Sequence, residues 1–149
     1  LGTASKRFKN IYSLTFTGTS TTAKYADVAE KYTVKGTPEV GDVISVSLDP
    51  DFDAEICNEI ASEYIIGVVS KNPAVKMNSE LKNGTYVALK GRVLCKVEGP
   101  IGKKDLLVSS GNGRATSLKN LTINNKHYKI VGIALQSTNK SFDIIEIIL

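Results

Sequence analysis

From residue 38 onward, apolar residues in this chain come in short runs, each soon interrupted by Gly, Asn, Asp or Pro. Such punctuation leaves room for short strands and tight turns and none for long helices. Strands are expected over 42–48 (DVISVSL), 64–70 (YIIGVVS), 105–110 (DLLVSS), 129–136 (KIVGIALQ) and 143–149 (DIIEIIL). The stretch 85–99 (TYVALKGRVLCKVEG) reads as two strands, or as one bent at Gly91. Residues 53–61 (DAEICNEIA) read as one helical turn or a loop between strands. The fold class is therefore mainly β, a small β-barrel or sandwich of short strands.

The pattern also echoes itself. EVGDVISVS (39–47) resembles IGKKDLLVSS (101–110), and YIIGVVS (64–70) resembles YKIVGIALQ (128–136). The first pair sets an Asp before an alternating strand, and the second sets a Gly in the middle of a later one. Two similar hairpin units packing on each other would give a pseudo-duplicated barrel. Gly67 and Gly132 fit a bulge or a close backbone crossing in either unit.

Residues 1–37 differ, with many Ser, Thr, Gly and Ala and few large aliphatics. Tyr12, Leu14 and Phe16 alternate with Ser13 and Thr15, which suits a short half-buried strand. TGTSTT (17–22) reads as a turn or extended linker. Tyr25, Val28, Ala29 and Tyr32 fall at i, i+3, i+4 and i+7, the spacing of two helical turns. This arm has too little apolar surface to fold alone. Its anchors, Phe8, Tyr12, Leu14, Phe16, Tyr25 and Tyr32, are expected to pack on the following domain or on a neighbouring subunit. Tyr, with an apolar face and a polar tip, suits such an interface. The expected division is a stem-like arm over 1–37 and a compact β domain over 38–149.

Composition narrows the function classes. The formal net charge is +4, and the basic residues read as scattered among acidic ones, with local groups only at Lys6-Arg7-Lys9 and Lys103-Lys104. A nucleic-acid partner needs a continuous basic face and is not expected. No apolar run is long enough for a membrane span, and the start lacks a signal-peptide layout. The chain begins at Leu1, which reads as a fragment or a processed product. Cys57 and Cys95 are far apart and read as two buried thiols, a disulfide remaining open. With His127 as the single histidine, no metal or other cofactor is expected. Asp49, Asp51, Asp53 and Glu55 alternate as in Ca2+ loops but lack the EF-hand Gly and terminal Glu, so an exposed acidic turn is expected.

Ser70, Lys71, Asn72, Lys76, Asn78 and Ser79 follow the apolar run 64–69 and raise the question of a nucleophile. A serine nucleophile needs a base within hydrogen-bond reach. His127 lies in a turn-like setting far along the chain, and the lysines read as solvated. Asn72-Pro73 has a structural reason of its own, ending a strand. The reading is a structural loop, with no catalytic residues.

These same residues carry a resemblance. LGTASKRFKNIYSLTFTGTS is similar to the LGxxxxRFxxIYxxxFxGT segment near the C-terminal ends of many bacteriophage tail-fibre and appendage proteins, and YADVAEKY to the element that follows it. GDVISVS, YIIGVVSKNPAVKMNS, VALKGRVLCKVEGPIGKKDLLVSSGNGRAT and IVGIAL with IIEIIL resemble, in order, the rest of that virion domain. Ser70, Asn72, Pro73, Met77 and Asn78 form its marker loop, and Gly67, Gly91 and Gly132 its structural glycines. At one point the chain departs from the pattern: Lys104 stands where a Gly is usual before Asp105, leaving that turn's geometry open.

The resemblance implies a virion structural protein, made in the host cytoplasm, whose homotrimer caps a fibre and continues an upstream stem. Two further readings follow from it. One is a tip that binds a host cell-surface glycan or protein through loops 72–83, 99–104 and 110–116. The other is a self-cleaving assembly chaperone, from a more distant likeness in the YADVAE element and the GVVSKNP strand end. That likeness places no catalytic residue here.

Overall fold

A computed structural model describes residues 26–124 and 127–149 of the chain. Eleven strands run in the order β1 (Ala26–Tyr32), β2 (Val34–Lys35), β3 (Val43–Val46), β4 (Ala54–Ile56), β5 (Ile65–Val69), β6 (Val75–Met77), β7 (Thr85–Glu98), β8 (Leu106–Gly111), β9 (Arg114–Ser117), β10 (Gly132–Ala134) and β11 (Phe142–Ile148). One 3-10 turn, Leu118–Asn120, follows β9. The chain is mainly β, as the sequence implies. Strands β7, β9, β8, β10 and β11 pair in a closed ring, because β11 returns to β7. The other end of β7 carries the path β5, β3, β4, β2, and β1 also pairs with β7. Only Thr33 separates β1 from β2, so these strands make a second circuit.

The expected helical turns at 25–32 are a strand instead. β1 pairs antiparallel with β7 and parallel with β6, so both its edges are hydrogen-bonded. Tertiary pairing overrides the local helical spacing of Tyr25, Val28, Ala29 and Tyr32. Residues 26–35, read from the sequence as part of the arm, are thus built into the sheet. Residues 53–61 likewise contribute strand β4, held between β3 and β2. The stretch 85–99 is a single strand that bends at Gly91 (φ +105°) and changes partner there. Arg92 pairs with Ala26 on β1 and also with Ile148 on β11.

The internal echo extends through the whole domain. The parallel pair Val34–Ala54 recurs as Val97–Ala115. Ile44–Gly67 recurs as Leu107–Gly132, Val68–Ala88 as Ile133–Ile148, and Ala29–Ala88 as Arg92–Ile148. The first unit therefore comprises β1 to the first half of β7, and the second unit the remainder. Each unit makes its own circuit and the two share β7; they do not combine as hairpins into one barrel.

Packing follows the same correspondence. Val34, Ile44, Ala54, Val69 and Val87 cluster within the first unit, and their counterparts Val97, Leu107, Ala115, Ala134 and Ile147 within the second. A ring this narrow accepts mostly Ala, Val and single larger aliphatics. Val43, Cys57, Val68 and Ala88 join the second unit's cluster, so they glue the units together. Strands β3 and β5 are accordingly buried on both faces, which is why they read as near-continuous apolar runs. Each such fully buried Val or Ile contributes about 1.5–3 kcal/mol of transfer free energy.

Candidate functional surfaces

The marker loop is a clasp on β1. Ala74 N–H donates to Asp27 O (2.9 Å), and β6 then runs parallel to β1 with Val75 opposite Val28 and Met77 opposite Glu30. Asn78 takes a left-handed conformation (φ +52°), which Asn tolerates, and its amide donates to Lys31 O. The Lys31 ammonium donates back to Ser79 O (2.9 Å) and Leu81 O (3.0 Å). It also lies 5.4 Å from the centre of the Tyr86 ring, which Lys76 approaches at 5.6 Å. Ser79 shares a hydrogen bond with the Tyr86 hydroxyl. Ser70 N–H donates to Tyr86 O, Pro73 is buried, and Asn72 is exposed. The loop's polar groups thus hold the strand the sequence read as helical.

Two matching turns precede β3 and β8. Asp42 N–H donates to Glu39 O, and its carboxylate accepts from Glu39 N–H (2.7 Å). Asp105 does the same with Gly102 (2.9 Å). Gly41 has φ +91° and Lys104, its counterpart, φ +75°, so the lysine keeps the glycine-type turn. Both aspartates are buried and both hold an ammonium: Lys96 on Asp42, Lys119 on Asp105. Lys119, the Gly102 N–H and the Ser117 hydroxyl together hold the Asp105 carboxyl down to about 2.

Gly67 and Gly132 mark close crossings. A methyl group at Gly67 would sit 1.9 Å from Ala88 O, and one at Gly132 would sit 2.6 Å from Ile148 O. The remaining single-residue expectations fall as follows. Tyr32 packs against the first unit's core with its hydroxyl on Glu30, and burial first, then that carboxylate, pushes its pKa up to about 12. Phe8, Tyr12, Leu14, Phe16 and Tyr25 lie outside the described residues. Cys57 and Cys95 are free and buried, and burial raises the Cys95 thiol to about 12. The alternating acids have separate partners: Asp49 pairs with Lys35, Asp53 accepts from Thr33 and Glu55 from Ser47.

Charge is segregated rather than scattered once the unit boundary at Gly91 and Arg92 is known. Residues 36–70 contain eight Asp or Glu and no Lys or Arg. The first unit (26–91) carries six Lys or Arg against eleven Asp or Glu, and the second (92–149) nine against four. The units thus have net charges of −5 and +5.

Three exposed features stand out among the described residues. An acidic groove of about 600 Å3 on the first unit is lined by Val46, Leu48 and Tyr64 with Glu55, Glu59 and Asn58. Leu48 there is 98% exposed. A polar groove of about 700 Å3 on the second unit is lined by Glu98, Thr116, Asn120, Asn139, Lys140 and Phe142. The Arg114 guanidinium stacks 4.3 Å from the centre of the Phe142 ring. Finally, Leu106, Ile133 and Ile148 are direct cross-strand neighbours on the outside of the second unit, and each is more than 40% exposed. Leu94 and Ile144 are exposed as well, opposite Glu146 and Lys96 in the β7–β11 ladder. Sequence reading missed the stripe, because both faces of DLLVSS are apolar and only the pairing tells which face is outside.

No family model and no curated protein matches the chain.

Proposed function

We propose that this chain is the C-terminal structural domain of a phage tail fibre or similar virion appendage, whose copies pack together, as a homotrimer, where the stem ends. The resemblance described above supplies the virion context. The observation that carries the packing is the stripe Leu106, Ile133, Ile148: an apolar surface continuous across three strands, of the kind that marks interaction sites on otherwise polar proteins. It lies beside the first described residue, since Ala26 pairs with Arg92 and Arg92 with Ile148. Arm residues of one copy then cover apolar surface of the next. The full chain, expressed with its upstream stem and weighed by light scattering, is expected at three times the chain mass. An uncut product also counts against self-cleavage, which would release a chain starting at Leu1.

A second reading is host attachment, favoured by the polar groove on the second unit. It includes Gly99, Pro100 and Thr116 from the loops expected to face a receptor. Carboxylate, amide and aromatic groups there suit a glycan, whose hydroxyls need paired donors and acceptors. Asn120→Ala and Phe142→Ala are expected to abolish binding to lipopolysaccharide in this reading. Unchanged binding in both variants rejects it.

A further inference from the structure

We propose that copies of this chain meet head to tail, the acidic groove of one copy receiving the apolar stripe of the next. The inference rests on the reading that copies assemble, and adds which surfaces touch. The groove offers Val46, Leu48 and Tyr64 among Glu55 and Glu59, on a unit of net charge −5. The stripe offers Leu106, Ile133 and Ile148 beside Arg92, Lys103 and Lys104, with the carboxylate of Glu146 next to Arg92, on a unit of net charge +5. Arg92 pairs directly with Ile148 in the ladder, and Lys103 and Lys104 form the turn leading into Leu106.

Each surface is apolar at its centre and charged at its margin, the anatomy of a protein interface. Charge selects among the possible contacts. Groove against groove sets carboxylates against carboxylates, and stripe against stripe sets cations against cations, each costly. Groove against stripe pairs opposite charges while covering Leu48, which is nearly fully exposed in the isolated chain. A contact between two different surfaces is heterologous, and such contacts close into rings when the rotation allows. A three-copy ring uses every groove and every stripe once.

The test uses the full chain and two exposed substitutions, Leu48→Lys in the groove and Ile133→Glu in the stripe. Neither residue belongs to the buried core, and circular dichroism of each variant reports its folding; Leu106→Lys replaces Ile133→Glu should that variant unfold. Each variant alone is expected to weaken assembly at least about tenfold, a loss of roughly 1.4 kcal/mol per contact. Mixed in equal amounts they retain one intact groove and one intact stripe, and are expected to form dimers and nothing larger. Wild-type mass in either single variant, or full assembly in the mixture, overturns the head-to-tail contact. A monomeric wild-type chain instead overturns the underlying reading that copies assemble, so the two failures are distinct.

Discussion

Lys104 occupies in the second unit the position that Gly41 holds in the first, with the same left-handed backbone (φ +75° and +91°). The hydrogen bonds are conserved with it: Gly41 N–H donates to Val69 O and Lys104 N–H to Ala134 O, each two residues beyond the mid-strand glycine. The turn's geometry is therefore set by its bonding partners and not by the residue type. A side chain in that region costs about 1–2 kcal/mol. Lys104→Gly is expected to stabilise the domain by about 1 kcal/mol and raise the melting temperature by about 3 °C. Chemical and thermal denaturation check this; a lower melting temperature contradicts it.

The mid-strand glycines are expected to differ in severity. A methyl at Gly67 meets the carbonyl of Ala88 at 1.9 Å, which only backbone movement can relieve. Gly67→Ala should cost several kcal/mol, upward of about 3, by overpacking and loss of the β5–β7 pairing. Gly132→Ala, at 2.6 Å from Ile148 O, should be milder but still destabilising. Gly36 has nothing within 4 Å, so Gly36→Ala pays only for its positive φ, about 1 kcal/mol. Urea titration of the three variants gives the order; a Gly67→Ala as stable as Gly36→Ala would refute the crossing.

Asp105 gives the domain an acid-sensitive support. Its carboxyl is held at about 2 rather than 3.8, first by Lys119, then by the Gly102 N–H and the Ser117 hydroxyl. The folded chain thus binds this proton less readily than the unfolded chain. Its contribution is complete above about pH 4 and is lost as pH falls towards 2. Lys119 is largely exposed, so solvent screening reduces the contribution to about 1 kcal/mol. Asp105→Asn should lower stability at pH 7 and flatten the decline between pH 4 and 2. Parallel acid limbs in wild type and variant contradict the assignment.

Lys96 couples the two units. It lies on the second half of β7, yet its ammonium reaches Asp42 and Glu39 of the first unit's turn, both at 2.7 Å, and its N–H donates to Gly41 O. Asp42 is buried, so removing the cation leaves a desolvated carboxylate without its ammonium. Lys96→Ala is expected to cost about 2–3 kcal/mol, while Arg92→Ala, whose link to Glu146 is long at 3.9 Å, costs well under about 1 kcal/mol. Equal losses in the two variants, measured by urea unfolding, contradict this ranking.

Much of the fold was legible from residue pattern. The alternating runs located β3, β5, β8, β10 and β11, and the shared Asp and mid-strand Gly exposed the internal echo. Parallel pairs such as Val34–Ala54 were not legible, since a parallel partner is set by long-range topology that no local spacing encodes. For the same reason β1 was mistaken for helical turns: its identity as a strand depends on β6 and β7, more than 40 residues away. The role of the marker loop as a clasp on Lys31 appears only in three dimensions. The opposite charges of the two units were present in the sequence all along. They became visible only once Arg92 was known to open the second unit.

The central claim is that copies of this chain pack together through surfaces the isolated domain leaves apolar. Sedimentation velocity of the full chain over a hundredfold range of concentration tests it most directly. A species of three times the chain mass, weakened by added salt, is the predicted result. A chain that stays at 16.0 kDa throughout contradicts it.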